Sequence, residues 1–320
     1  MRVVYMGTGE IGLPSLHWLL GNLDRFDLVG VYTQPDKPIG RKQILTPPAI
    51  KTIAIEAGIP VFQPEALRKN QSALDDFKTL EPDLAIVMAY GQILPKSLIE
   101  IPPKGIVNLH ASLLPRHRGA SPIQAAIREG DEESGITLMH IIPQLDAGDM
   151  IAKKSLPIAP EDTGGSLHDK LAQLGPELLS ESFSLLEQPN LPREPQSENE
   201  ATYAGKLERE DGRIDWSVPA KELERLIRAY DPWPGTFTEI QIGDTMRKLK
   251  VFPPSISKAG GSRSPGMILS CDDGIEVACG VGALRLEGDL QLEGRKRLPV
   301  AEFLKGLDLD SGTILGAPRD

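Results

Sequence analysis

Cysteine is nearly absent from this chain: Cys271 and Cys279 are the only two in 320 residues. A disulfide framework is thereby excluded, and the pair lacks metal-ligand spacing, so reduced core thiols fit it better than a bridge or a zinc site. Histidine occurs five times, scattered singly, and no metal is expected. Long apolar runs are missing too. No segment approaches the ~20 apolar residues of a membrane span, and the opening MRVVYMGTGEIG is too short an apolar run for a secretory signal. A cytoplasmic protein without a membrane partner is expected. Basic charge falls short of balance, with 35 Lys and Arg against 45 Asp and Glu and a formal charge of −10. Broad nucleic-acid binding is excluded, because nonspecific affinity comes from neutralising phosphates. Any RNA contact must use local patches, of which two exist: Lys37 to Lys42, with Arg41 and Lys42, and Arg295-Lys296-Arg297. Taken alone, each is more often a solvated loop.

What is present suggests two domains, on a length prior of about 150 residues each. In the first half, apolar runs at Val3 to Met6, Leu28 to Thr33, Leu84 to Met88 and Ile106 to Leu109 alternate with helical patterns such as Leu13 to Leu20 and Ala49 to Ala57. Strand–helix alternation means a parallel sheet wrapped by helices, so a Rossmann-like α/β domain is expected over 1–188. Its last helix spans Ser166 to Leu186, with Gly175-Pro176 as a potential break. The Pro-rich polar stretch that follows predicts a linker over 189–205. In the remainder, 206–320, a helix over Ala220 to Tyr230 precedes short alternating runs with turns at 243–244, 273–274 and 288–289. An OB-like β-barrel is expected there, a fold that often binds nucleic acid.

The chemistry concentrates in GIVNLHASLLPRHRGASPIQ, Gly105 to Gln124. Alternate residues of a strand share a face, so Asn108 and His110 project together from the end of an otherwise apolar strand. Open parallel sheets bind ligands at the carboxyl ends of their strands. A polar pair there is either satisfied by neighbours or used on a ligand. A second strand-like run, Gly135 to Met150, ends in Asp146-Ala147-Gly148-Asp149. A carboxylate from that turn beside His110 would fix its tautomer and favour its charged form. Either Asp is also a plausible Asx-turn residue.

In order and spacing, Asn108-x-His110, Ser112-Leu113-Leu114-Pro115 and Asp146-x-Gly148-Asp149 resemble the signature of the folate-dependent formyltransferases. The C-terminal boxes Thr202-Tyr203-Ala204-x-Lys206-Leu207, Asp231-Pro232-Trp233-Pro234-Gly235 and the run LEGRKRLPVAEFLKG are similar to the branch of that family acting on methionyl-tRNA. The resemblance implies transfer of a formyl group from 10-formyltetrahydrofolate to the α-amine of initiator methionyl-tRNA. It makes Asn108, His110 and Asp146 catalytic. It assigns the folate to Gly91, Ser112, Leu113, Leu114 and Pro115, and tRNA contacts to Arg41 and Lys42, in the aperiodic loop Thr33 to Lys51, together with Arg295, Lys296 and Arg297. Arg116 and Arg118 are candidates for phosphate or the folate glutamate tail, and equally for solvated surface. A monomer is expected.

Two other readings stay open. Gly7-Thr8-Gly9-Glu10-Ile11-Gly12 matches the dinucleotide fingerprint G-x-G-x-x-G, although the end of the second strand offers Tyr32-Thr33-Gln34 where an acidic residue is needed. The other is an RNA- or nucleotide-binding protein whose first domain has lost its chemistry.

Overall fold

Four apolar runs of the first half, with a short fifth strand at Val61–Phe62, pair side by side into a parallel sheet. The computed structural model describes residues 1–40, 42–258, 263–307 and 309–316, in two units. The first comprises Met1–Pro122, Glu133–Pro157 and His168–Ala204; the second comprises Ile123–Glu132, Ile158–Leu167 and Gly205–Asp320. Residues 189–204, linker-like in sequence, thus cluster with the first unit, and two short segments before residue 168 cluster with the second.

The strands of the first unit are β1 (Arg2–Gly7), β2 (Asp27–Tyr32), β3 (Lys37–Ile39), β4 (Ile44–Thr46), β5 (Val61–Phe62), β6 (Leu84–Met88), β7 (Ile106–His110), β8 (Arg118–Gly119), β9 (Glu133–His140), β10 (Met150–Pro157) and β11 (Tyr203–Ala204). Seven of them form one sheet in the order β10-β9-β7-β6-β1-β2-β5, parallel from β7 to β5 and antiparallel at β9 and β10. Every residue of β6 is buried, as befits a strand covered on both faces. Helices α1 (Leu13–Leu20), α2 (Ala49–Glu56), α3 (Gln71–Thr79) and α4 (Lys96–Ile99) follow or connect these strands. Phe77, Val87, Leu98 and Ile106 are sealed in the core on one face, each worth about 1.5–3 kcal/mol of burial.

Two local expectations are corrected. The stretch Thr33 to Lys51 is not structureless, for β3 and β4 pair as a hairpin that exposes Ile39, Ile44 and Leu45. Arg41 lies outside the described residues. Among the helices after α5 (Pro122–Glu129), α6 (Gly164–Glu187) runs unbroken through Gly175-Pro176. The glycine is needed there for closeness, because a Cβ at Gly175 would stand 2.7 Å from Ser15 Oγ.

In the second unit α7 (Ala220–Ala229) precedes β12 (Thr236–Ile242), β13 (Thr245–Val251), β14 (Ser255–Ser257), β15 (Ile268–Ser270), β16 (Ile275–Ala278), β17 (Ala283–Leu286), β18 (Asp289–Leu292), β19 (Leu298–Pro299) and α8 (Val300–Lys305). They make two antiparallel sheets, β12-β13-β18-β19 and β14-β17-β16-β15. One core including Trp216, Leu223, Ile227, Leu249 and Leu284 serves both. The turn at Gly243-Asp244 joins β12 to β13, and Gly288-Asp289 carries the chain from one sheet to the other. The α/β class with an antiparallel C-terminal domain is as expected. No helix among the described residues is long and apolar enough to cross a membrane.

Candidate functional site

Strand β7 delivers Asn108 and His110 to the carboxyl edge of the parallel sheet, in register with Met139 and Thr137 of β9. His110 is 6% exposed, and Asn108 is half-buried. Among the described residues the Asn108 side-chain amide has no hydrogen-bond partner. An amide that bonds nothing yet is reachable can serve a ligand without first breaking a bond inside the protein.

His110 is held from two sides. Its Nε2 lies 2.9 Å from the carbonyl oxygen of His117, which only accepts, so Nε2 carries the proton in the neutral ring. Its Nδ1 faces Asp146 Oδ2 at 3.7 Å, an ion-pair separation rather than a hydrogen bond. The expected tautomer-fixing role of the carboxylate is therefore corrected: the His117 carbonyl fixes the tautomer. Asp146 stands opposite the basic nitrogen. The carboxylate is itself anchored, its Oδ2 accepting the Gly119 N–H at 2.8 Å. Asp149, the other candidate in the turn, pairs with Arg193 at 3.3 Å.

Local sequence explains this placement. The turn between β9 and β10 presses against β9, since a Cβ at Gly148 would meet the His140 carbonyl oxygen at 1.9 Å. Asp146 occupies the left-handed region at φ +48°, which Asp tolerates better than most residues. Gly119 lies in β8, which pairs with β11. A Cβ there would stand 2.4 Å from the Ala204 carbonyl oxygen, at φ +117°. Gly119→Ala is accordingly expected to cost at least about 1–3 kcal/mol of stability and to lower turnover by displacing Asp146. Thermal unfolding alongside an activity assay checks this; a variant matching the wild type in both would contradict the close pairing.

Ser112 to Pro115 form a rigid shoulder beside the pair rather than a row of free donors. Ser112 Oγ donates to the Arg116 carbonyl at 2.7 Å, and Thr137 Oγ1 donates to the Ser112 carbonyl and accepts from Leu114 N–H. Lys153 Nζ donates to the Leu114 carbonyl at 2.7 Å. With Ser112 and Leu114 each 1% exposed, the partly exposed Leu113 and Pro115 are the members able to face a ligand. Gly91 follows β6, the neighbour of β7, at φ +83° and is exposed; the nearest atom to a Cβ there would be Gln34 Nε2 at 3.9 Å. The backbone there is open to a flat ring.

The glycine-rich turn after β1 does not cradle phosphate. Thr8 and Gly9 both donate their N–H groups to the Ala89 carbonyl, while Gly12 tucks under Tyr5, whose hydroxyl donates to the Gly12 carbonyl at 2.7 Å. These glycines serve close strand–helix packing. Asp36, the first acid after the second strand, is taken up by Gln63 and Lys51, whose hydrogen bonds hold its carboxyl below the ordinary value.

The basic candidates separate clearly. Arg118, 1% exposed, is structural: its guanidinium bonds Gln196, both oxygens of Glu198 and the Tyr203 hydroxyl. Arg297 stacks over Phe252 at 3.6 Å and pairs with Asp289. Lys42, Arg295 and Lys296 are exposed. Among the described residues, no group of three His, Cys, Asp or Glu side chains is placed to hold a metal ion.

Comparison with known proteins decides the family. A family profile described as formyl transferase matches residues 1–183, and one described as formyl transferase, C-terminal domain, matches 206–308. The chain belongs to the formyl transferase family. Curated relatives named methionyl-tRNA formyltransferase include those of Akkermansia muciniphila, 50% identical over 96% of both chains, and Citrifermentans bemidjiense, 45% identical over 99% of this chain and 96% of that one. Among solved structures, the sugar 3N-formyl transferase WlaRD covers 92% of this chain and 99% of its own at 16% identity, with a TM-score of 0.64. HypX from Aquifex aeolicus in complex with tetrahydrofolic acid covers 98% of this chain and 50% of its own at 19% identity, TM-score 0.61. At such identities these two attest the formyl transferase fold.

Several parts of the formyl transferase site escape a reading by motif. The His117 carbonyl, the Gly119 N–H, Thr202 and Gln196 act through backbone groups or across 50 to 85 residues of sequence. Of these, only the glycine leaves a local trace.

Proposed function

We propose that this formyl transferase moves the formyl group of 10-formyltetrahydrofolate onto the α-amine of methionyl-tRNA, giving N-formylmethionyl-tRNA for translation initiation. Asn108, His110 and Asp146 are its catalytic residues. The observation that carries the site assignment is the unpartnered Asn108 amide beside the buried His110–Asp146 pair. Support for the acceptor comes from end-to-end identity to relatives bearing that name and from the matching C-terminal domain. Residues 1–188 are the catalytic part, 189–205 the connector and 206–320 the tRNA-binding part. Initiator methionyl-tRNA is the acceptor, the monomer is the working species and the cytoplasm is its compartment.

The residues fit the chemistry. The folate supplies an electrophilic formyl carbon, and the open backbone at Gly91 with the faces of Leu113 and Pro115 suits its flat ring. Attack by the amine puts negative charge on the formyl oxygen, where the Asn108 amide donates; one such donor is typically worth ~3 kcal/mol. The proton shed by the amine passes, directly or through a water, to the His110–Asp146 pair. His110 Nδ1 takes it, facing the Asp146 carboxylate at 3.7 Å; as the tetrahedral adduct collapses, the bond from the formyl carbon to N10 of the folate breaks and the proton passes to that nitrogen, leaving tetrahydrofolate. The Gly119 N–H and His117 carbonyl keep both partners still, so little reorganisation accompanies the transfer.

The test is formyl transfer from 10-formyltetrahydrofolate to charged initiator methionyl-tRNA, run beside free methionine, a ribonucleotide amine and an amino-sugar nucleotide. Formylation confined to the tRNA is expected. Transfer to a small amine instead would move the chain to another branch of the family. Within the proposal, Arg41→Ala is expected to raise KM for the tRNA about tenfold, in line with a lost contact of about 1.4 kcal/mol, and to leave folate kinetics alone. Unchanged tRNA kinetics would detach the hairpin from recognition.

A further inference from the structure

The stretch from Gln196 to Ala204, polar and aperiodic in sequence, makes the contacts that set both halves of the His110–Asp146 pair. One amide group is central to it. Gln196 Nε2 donates to the Asp146 carbonyl at 2.8 Å and to the Gly148 carbonyl at 2.7 Å, using both of its protons. Its Oε1 accepts from Arg118 Nε at 2.9 Å. Arg118 is buried and gripped bidentately by Glu198, at 2.9 and 3.1 Å, so Gln196 is tied to a fixed post. The same post begins β8, whose next residue, Gly119, gives its N–H to Asp146 Oδ2. The acidic turn is thus bound twice, its backbone by Gln196 and its carboxylate by Gly119. On the histidine side, Thr202 Oγ1 accepts the His117 N–H at 2.8 Å, and the His117 carbonyl in turn holds His110.

We infer that Gln196 is a positioning residue for formyl transfer, acting through the Asp146 turn. The inference rests on the catalytic reading of Asp146. Asp146 sits in the left-handed region, which persists only where the surroundings over-determine it. With the two carbonyls released, the turn is free to relax and carry the carboxylate away from His110. Displacements of about 1 Å caused by mutations away from the chemistry can cost about 100-fold in rate.

Gln196→Glu is the sharpest variant, because it keeps the size and the acceptor toward Arg118 but removes both donated protons. The full-length protein is assayed with initiator methionyl-tRNA and 10-formyltetrahydrofolate, with thermal unfolding measured in parallel. Gln196→Glu and Gln196→Ala are expected to lower kcat about 10- to 100-fold, with both KM values within about twofold of wild type. In an Asp146→Asn background, itself strongly impaired, Gln196→Ala is expected to cost almost nothing further, because the residue through which it acts is already disabled. Near-normal kcat in Gln196→Glu would overturn the inference. So would full additivity with Asp146→Asn. If Asp146→Asn alone turns over like the wild type, it is the catalytic reading of Asp146 that fails first, an outcome distinct from those two.

Discussion

Asn108→Ala is expected to lower kcat for formyl transfer about 100- to 1,000-fold while leaving KM for both substrates nearly unchanged. The amide has no partner among the described residues, so its removal leaves no buried group unsatisfied and the fold should be indifferent to it. The loss belongs to the transition state, where charge appears on the formyl oxygen, and corresponds to about 3–4 kcal/mol. Asn108→Asp is expected to be at least as damaging, since it keeps the shape but sets an acceptor against the developing negative charge. Steady-state kinetics with unfolding curves for both variants check this. Turnover within a few-fold of wild type in Asn108→Ala would remove the residue from the mechanism.

The second large effect is expected from His110→Ala, at about 100- to 10,000-fold in kcat, the range of a lost acid–base group. Here stability changes as well. His110 is buried, and its removal strands the His117 carbonyl that it bonds and leaves Asp146 without its facing imidazole. A buried acceptor left unsatisfied costs about 1–3 kcal/mol. His110→Gln, which can keep a donor toward the His117 carbonyl, is expected to recover much of that stability but little of the turnover, because an amide cannot take a proton at neutral pH. Equal recovery of both would make His110 a structural residue.

Much of this was legible before the structure. The apolar runs became β1, β2, β6 and β7 to within about a residue at each end, because strands buried on both faces tolerate few polar interruptions. Those interruptions, Asn108 and His110, marked the site for the same reason. Three things were hidden. The hairpin at Lys37 to Thr46 exposes its apolar residues, so no inward-facing period betrays it. Helix α6 carries a proline without breaking, since its apolar face is buried along its length. The role of Gln196 to Thr202 depends on single side chains meeting backbone groups 48 to 85 positions away, and polar composition alone cannot separate such a segment from a solvated linker. Arg118 shows the converse: an arginine that invites a phosphate is spent on Glu198.

The most direct test is the crystal structure of the full chain with a stable 10-formyltetrahydrofolate analogue and the position of its formyl oxygen. The account predicts that oxygen about 2.7–3.1 Å from Asn108 Nδ2, with the ring against Gly91 and the His110–Asp146 pair on the side from which the amine approaches. An analogue bound elsewhere, or a formyl oxygen met by some other donor while the Asn108 amide stays idle, would contradict it.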